Sequence, residues 1–116
     1  MKIGTDIVAI DRIDKSLSQF GEKFTQRFLH PSEMQLAQKT TSIAGFWAAK
    51  EAIAKALGCG IGKELSFHDM EIYKDAKGAP HFKLSANAQK LHGIQSSSLS
   101  ISHDGGFAIA VVAIIS

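Results

Sequence analysis

Between Phe46 and Gly58 the chain reads FWAAKEAIAKALG. At about 100° per residue, Phe46, Ala49, Ile53 and Leu57 fall on one apolar stripe, which predicts a helix. The other positions are nearly all Ala or aromatic, so this helix has little solvent face and belongs inside the domain or between subunits. Upstream, Lys2 to Ile10, KIGTDIVAI, has the β-branched richness of a strand. Residues 11–28 predict a helical segment with Ile13, Leu17, Phe20, Phe24 and Phe28 as its apolar set and Gly21 as a break. His30-Pro31-Ser32-Glu33 marks another helix start. Thr40 to Ser42 reads as a short polar connection into the central helix.

Beyond the helix, Gly58 to Lys63, GCGIGK, predicts a stop and a loop. This is no Walker motif, because the glycines follow a helix instead of opening one. Phe67 to Tyr73 and Pro80 to Leu84 read as strands about an Asp75-Ala76-Lys77-Gly78 turn. A short helix follows over Ser85 to Leu91, capped by Ser85, with Ala88 and Leu91 inward. Ser98 to His103 and Phe107 to Ile115 form a hairpin around Asp104-Gly105-Gly106. The last strand is apolar on both faces, so it is expected to be central in a sheet or covered by another subunit. Together these elements make an α+β fold, a mainly antiparallel sheet packed on a long central helix.

Size and composition narrow this further. The 116 residues form one domain, 1–116, small enough that a partner subunit would help to complete its core. The net charge of +2 comes from interspersed acids and bases, so no cationic run suggests a nucleic-acid partner. The single Cys59 excludes an internal disulfide and a cysteine metal site, and reads as a small apolar residue. No basic-then-apolar signal opens the chain, and Phe107 to Ile115 is too short to span a bilayer as a helix. The expectation is a cytoplasmic protein with no membrane association.

The charges that fit badly are the informative ones. Glu51 and Lys55 lie one turn apart among Trp47, Ala48 and Ala52. As a plain surface pair they would contribute about 0.2–0.5 kcal/mol. In a helix with so little solvent face they call for compensation, which a metal ion and a phosphorylated ligand would supply. Lys50 raises the same question, unless its stem carries the ammonium to water. Asp6 sits mid-strand among Ile3, Ile7, Val8 and Ile10, with Gly4 leaving room on its face. It either accepts local backbone bonds or serves a ligand. His103 ends its strand beside a turn.

GTDIVAIDRI, FWAAKEAIAKALGCGIG, LSFHDMEI and SISHDGGFAIAVV, in that order, resemble the 4′-phosphopantetheinyl transferase superfamily, and within it the short bacterial holo-acyl-carrier-protein synthases. The resemblance covers nearly the whole chain, and the GxD and KEAxxK elements are its signature. It implies transfer of 4′-phosphopantetheine from coenzyme A to a serine of apo-acyl carrier protein, releasing adenosine 3′,5′-bisphosphate, in fatty acid biosynthesis. It implies a homotrimer with the site between subunits. It implies that Asp6 and Glu51 hold Mg2+ and that Lys55 completes the catalytic set. Lys50, Lys55, Gly58, Ser102 and His103 fall at coenzyme A-binding positions. Arg12, Lys23 and Arg27 fall on the surface that docks carrier protein.

The chemistry of the residues agrees. Magnesium takes hard oxygen ligands, commonly one or two carboxylates completed by phosphate and water. Lys55 would stabilise charge on the reacting phosphoryl group. The base that takes the serine proton stays open among Glu51, water and a neutral Lys55, and magnesium against manganese is also open. Two departures stand out. Phe46 occupies a position where the family often has arginine, leaving Lys39, Lys50 or Lys63 to replace it. His103 is followed by Asp104 and glycines instead of further hydroxyl residues. A non-catalytic module that binds carrier protein or coenzyme A, and a purely structural trimer, are the competing readings.

Overall fold

The computed structural model describes residues 1–116. Its elements run β1 (Lys2–Ala9), α1 (Ile10–Phe20), α2 (Glu22–Gln26), α3 (Pro31–Leu36), α4 (Thr40–Ala56), β2 (Met70–Lys74), β3 (Pro80–Leu84), α5 (Ala86–His92), β4 (Ser96–Asp104) and β5 (Phe107–Ile115). The α+β class expected from the patterning is the one found. β5 is the centre of a three-stranded antiparallel sheet, in the order β1-β5-β4, while β2 and β3 form a separate antiparallel hairpin. α4 lies across the inner face of the larger sheet, on Gly4, Val8, Ala108, Ala110, Val112 and Ile114, all buried.

Small residues set how closely helix and sheet approach. A Cβ on Gly4 would lie 1.9 Å from the Ala52 carbonyl oxygen, so the space that Gly4 leaves is filled by the α4 backbone. A Cβ on Gly45 would lie 2.8 Å from Ile101 Cγ2. The helix therefore crosses diagonally, with its first half over β4 and its second half over β1.

Four local expectations need correction. The strand expected from Phe67 starts at Met70, because Phe67–Asp69 form a 3-10 turn in which the Ser66 and Asp69 side chains cap each other's backbone. α4 starts at Thr40, so Thr40 to Ser42 are its first turn. Lys39 is the N-cap with extended backbone and no side-chain cap bond, so the polar Thr-Thr-Ser run looked like the connection itself. Phe20 is 48% exposed because Gly21, at φ 56°, turns the chain before the apolar stripe continues at Phe24. Leu91 is 61% exposed: α5 settles on the core through Ala88, and nothing in the protomer covers its next turn.

Beside the sheet lies an aromatic cluster. Phe28 and Trp47 meet edge to face at 5.1 Å, and Phe67 reaches Trp47 at 5.1 Å and Phe28 at 6.0 Å. Phe24, Arg27, Trp47 and Phe67 leave a cavity of about 370 Å³ between them.

Candidate active site

β1 and α4 bring together the charges that the sequence singled out. Asp6 pairs with Ala110 in the sheet, on the inward face with Gly4 and Val8, which turns its carboxylate toward α4. Lys55 does not form the i,i+4 pair with Glu51. Its ammonium reaches across to β1, donating to Asp6 Oδ1 at 2.9 Å and to the Thr5 carbonyl at 3.2 Å. Glu51 stands one helical turn before Lys55 and half-buried. Burial, and then the negative charge of Asp6, push the Glu51 carboxyl above the usual carboxylate range; Lys55 and Arg12 oppose this. The two carboxylates are thus close enough for the charge of one to oppose ionisation of the other.

Arg12, on α1, has its guanidinium 5.7 Å from the Trp47 ring centroid and within electrostatic reach of Glu51. It therefore borders the carboxylates. Lys23 and Arg27 are exposed on and just after α2, and Arg27 forms one wall of the aromatic cavity.

The donor set suits magnesium. No three His, Cys, Asp or Glu side chains converge in the fold, so Asp6 and Glu51 have no third side chain of this kind beside them. An ion that keeps its remaining positions for water and phosphate oxygens fits such a site, whereas one needing a full protein cage does not.

The coenzyme A candidates are more scattered. Lys50 is a correction: it neither snorkels to water nor offers a donor to phosphate. It is fully buried, and its ammonium donates to Phe28 O at 2.6 Å, Glu33 Oε1 at 2.8 Å and Phe67 O at 3.1 Å. Gly58 follows α4 at φ 77°, with its N–H on the Lys55 carbonyl, and is exposed near the carboxylate pair's end of the helix. His103 lies two strands from β1, across about 10 Å of sheet. Ser102 pairs with Ile109 and points to the opposite face of the sheet from His103. One protomer therefore does not assemble Ser102 and His103 with Asp6, Glu51 and Lys55.

His103 instead borders a hollow of about 230 Å³ shared with Thr41, Ser42, Phe46, Lys74, Gly78 and Pro80. Thr41 and Ser42, in the first turn of α4, line it, so the positive end of that helix lies beside the hollow. Phe46 forms an apolar wall of it, and the cation in this hollow is Lys74. Lys74 was not singled out in the sequence, since a lysine at a hairpin end is ordinary. Of the proposed replacements, Lys39 and Lys63 are exposed but border no part of the hollow, and Lys50 is buried. Burial raises the Cys59 thiol, in keeping with an inert residue.

Residues 2–112 match the sequence profile described as the 4′-phosphopantetheinyl transferase superfamily. The chain belongs to this superfamily. Curated relatives within it include the holo-[acyl-carrier-protein] synthase of Sulfurovum sp. (strain NBC37-1), 60% identical over 114 residues, which cover 98% of this chain and 96% of that protein. The holo-[acyl-carrier-protein] synthase of Campylobacter fetus is 59% identical over 110 residues, covering 95% of this chain and 96% of that one. Among solved structures, the Helicobacter pylori holo-[acyl-carrier-protein] synthase in complex with coenzyme A superposes with a TM-score of 0.95 at 56% identity. That match covers 97% of this chain and 99% of the other. The Bacillus anthracis synthase in complex with CoA (3′,5′-ADP) gives 0.82 at 40% identity, covering 97% and 94%. No helix of this phosphopantetheinyl transferase is long and apolar enough to cross a membrane.

Proposed function

We propose that this chain is a holo-acyl-carrier-protein synthase, moving 4′-phosphopantetheine from coenzyme A to a serine hydroxyl of apo-acyl carrier protein. Adenosine 3′,5′-bisphosphate leaves, and the product carrier serves fatty acid biosynthesis. The serine oxygen forms a bond to the phosphorus next to pantetheine, the bond from that phosphorus to the bridging oxygen breaks, and the serine proton passes to a base. The observation that carries the reading is the pair of neighbouring carboxylates Asp6 and Glu51, one on a strand and one on a helix, in a chain with this ancestry.

In this reading Asp6 and Glu51 hold Mg2+. The ion supplies charge neutralisation at the diphosphate when bound. Lys55 leaves Asp6 to meet the phosphoryl oxygens as charge accumulates there. Arg12 and Trp47 border the same place, with Lys23 and Arg27 farther along a basic edge that receives an acidic carrier protein. His103, Lys74 and the start of α4 form an anion site for a coenzyme A phosphate, with Gly58 and Ser102 as further contacts.

Because Asp6 and His103 lie on opposite edge strands, a complete site requires more than one copy. The outer face of the sheet supports this. Ile3, Ile7, Phe107, Ile109, Val111 and Ile115 are 40% to 63% exposed there, a patch that favours association. The reading is a homotrimer whose neighbours supply the coenzyme A groups of one to the carboxylates of the next, working in the cytoplasm.

Intact mass of apo-acyl carrier protein, incubated with the enzyme, coenzyme A and magnesium, tests the function. A gain of one phosphopantetheine is expected, with none for Asp6→Ala or Glu51→Ala of unchanged fold. Full turnover by both variants would overturn the metal assignment. Coenzyme A binding without transfer, equal with and without magnesium, would favour a binding module instead.

A further inference from the structure

Lys50 and Glu33 form a wholly buried ion pair that the reaction as described does not use. Both are 0% exposed. All three ammonium donors of Lys50 are taken, by Phe28 O, Glu33 Oε1 and Phe67 O. Glu33 is as fully engaged: Oε1 also accepts from the His30 N–H at 2.7 Å, and Oε2 accepts from the Ile72 N–H at 2.8 Å. One ion pair thus joins the end of the α2 segment, α3, the Phe67 turn and β2 to the middle of α4. Stability alone is a poor reason for such a pair, since apolar residues of similar volume often serve as well or better. What the pair supplies is position. Lys50 immediately precedes Glu51, so its anchoring fixes the rotation of α4 about its axis at that residue. Phe28 and Phe67, whose carbonyls it holds, carry rings that pack against Trp47, one turn before Glu51. On the β1 side α4 rests on Gly4 and small side chains, and its polar link there, Lys55 to Asp6 and the Thr5 carbonyl, is solvent-exposed where the Lys50–Glu33 pair is buried.

We infer that Lys50 and Glu33 are positioning residues that aim Glu51, and with it Lys55, at Asp6. The inference rests on the proposed role of Asp6 and Glu51. The test is the pair Lys50→Met/Glu33→Gln, which keeps volume and an acceptor for the Ile72 N–H while removing both charges. Phe82→Leu, on the distant β3, serves as a control for lost stability. Turnover, KM for coenzyme A, the magnesium concentration at half-maximal rate and the magnesium-induced rise in Tm are measured below every variant's melting range. The expected result is a fall in kcat and a rise in the magnesium midpoint, each roughly 10- to 100-fold, with KM for coenzyme A little changed and the Tm rise diminished. Phe82→Leu should keep kcat and the magnesium midpoint. If the double variant does not fold, Glu33→Asp, which keeps both charges and shortens the reach of the pair, carries the same prediction at smaller amplitude. An unchanged kcat and magnesium midpoint would overturn the inference, as would a rise in KM for coenzyme A alone, which marks a direct contact. Glu51→Gln, run alongside, separates the underlying reading: turnover retained there would defeat the metal assignment itself.

Discussion

Glu51 is a carboxyl whose burial and whose neighbour Asp6 both oppose its charge. In the proposed metal role Glu51 must be ionised, so magnesium affinity should fall as pH falls through this raised pKa, at a higher pH than an exposed glutamate would impose. Calorimetric magnesium titrations between mildly acidic and neutral pH will show it; affinity flat across that range would contradict it. The sign for stability is the opposite of the usual carboxylate. With the folded pKa above the unfolded one, the metal-free protein binds more protons when folded, and gains stability as pH falls through that window. Glu51→Gln should therefore raise the Tm of the chelated protein by a few degrees while removing transfer. Sequence reasoning reached Glu51, Asp6 and Lys55 because charges among apolar and small residues are conspicuous. It did not reach the Lys50–Glu33 pair. Glu33 follows His-Pro-Ser as an ordinary capping acid, and nothing local shows that it meets a lysine 17 positions on.

Elements place these side chains, and their contacts are as testable as the charges. A methyl on Gly4 would collide with the Ala52 carbonyl, so Gly4→Ala must push α4 from β1. The expected loss is about 1–3 kcal/mol in urea unfolding, together with weaker magnesium binding, because Asp6 and Glu51 sit on the two elements that part. Asp69 joins the Phe67 turn to α5: its carboxylate accepts from the Ser66 N–H at 2.9 Å and from the Ser66 and Ser85 hydroxyls at 3.1 and 2.7 Å. Those bonds, the Ser66 backbone first, hold its pKa below the usual aspartate range. Its contribution is full above the unfolded pKa and is lost as pH falls through the folded one. Asp69→Asn should flatten that part of the acid unfolding curve. The strands other than the first residues read into β2, and the body of α4, were legible because period and turn chemistry agree in them. The start of α4 was not, because a helix capped by Lys39 without a side-chain bond carries no local signal.

At the scale of the molecule, the outer face of the sheet is the unfinished part. β5 was expected to be central or covered by another subunit; it is central, and its outer residues remain exposed in the protomer. Val111→Glu places a charge in that patch without touching the inner face. If the proposed trimer forms through this face, the variant should run as a monomer in light scattering and lose transfer in proportion. A fully active monomer would refute a shared site. A site between subunits was expected from the family resemblance; the strand order that puts His103 and Asp6 on opposite edges of the sheet was not, since SH and GxD motifs give residue types without the order of the strands that carry them.

The most direct measurement is a magnesium titration, by calorimetry, of the protein saturated with coenzyme A, alongside Asp6→Asn and Glu51→Gln. One ion per protomer is predicted for the unaltered chain, with binding lost or greatly weakened in each variant. Equal binding in all three would show that the ion, if any, is held elsewhere.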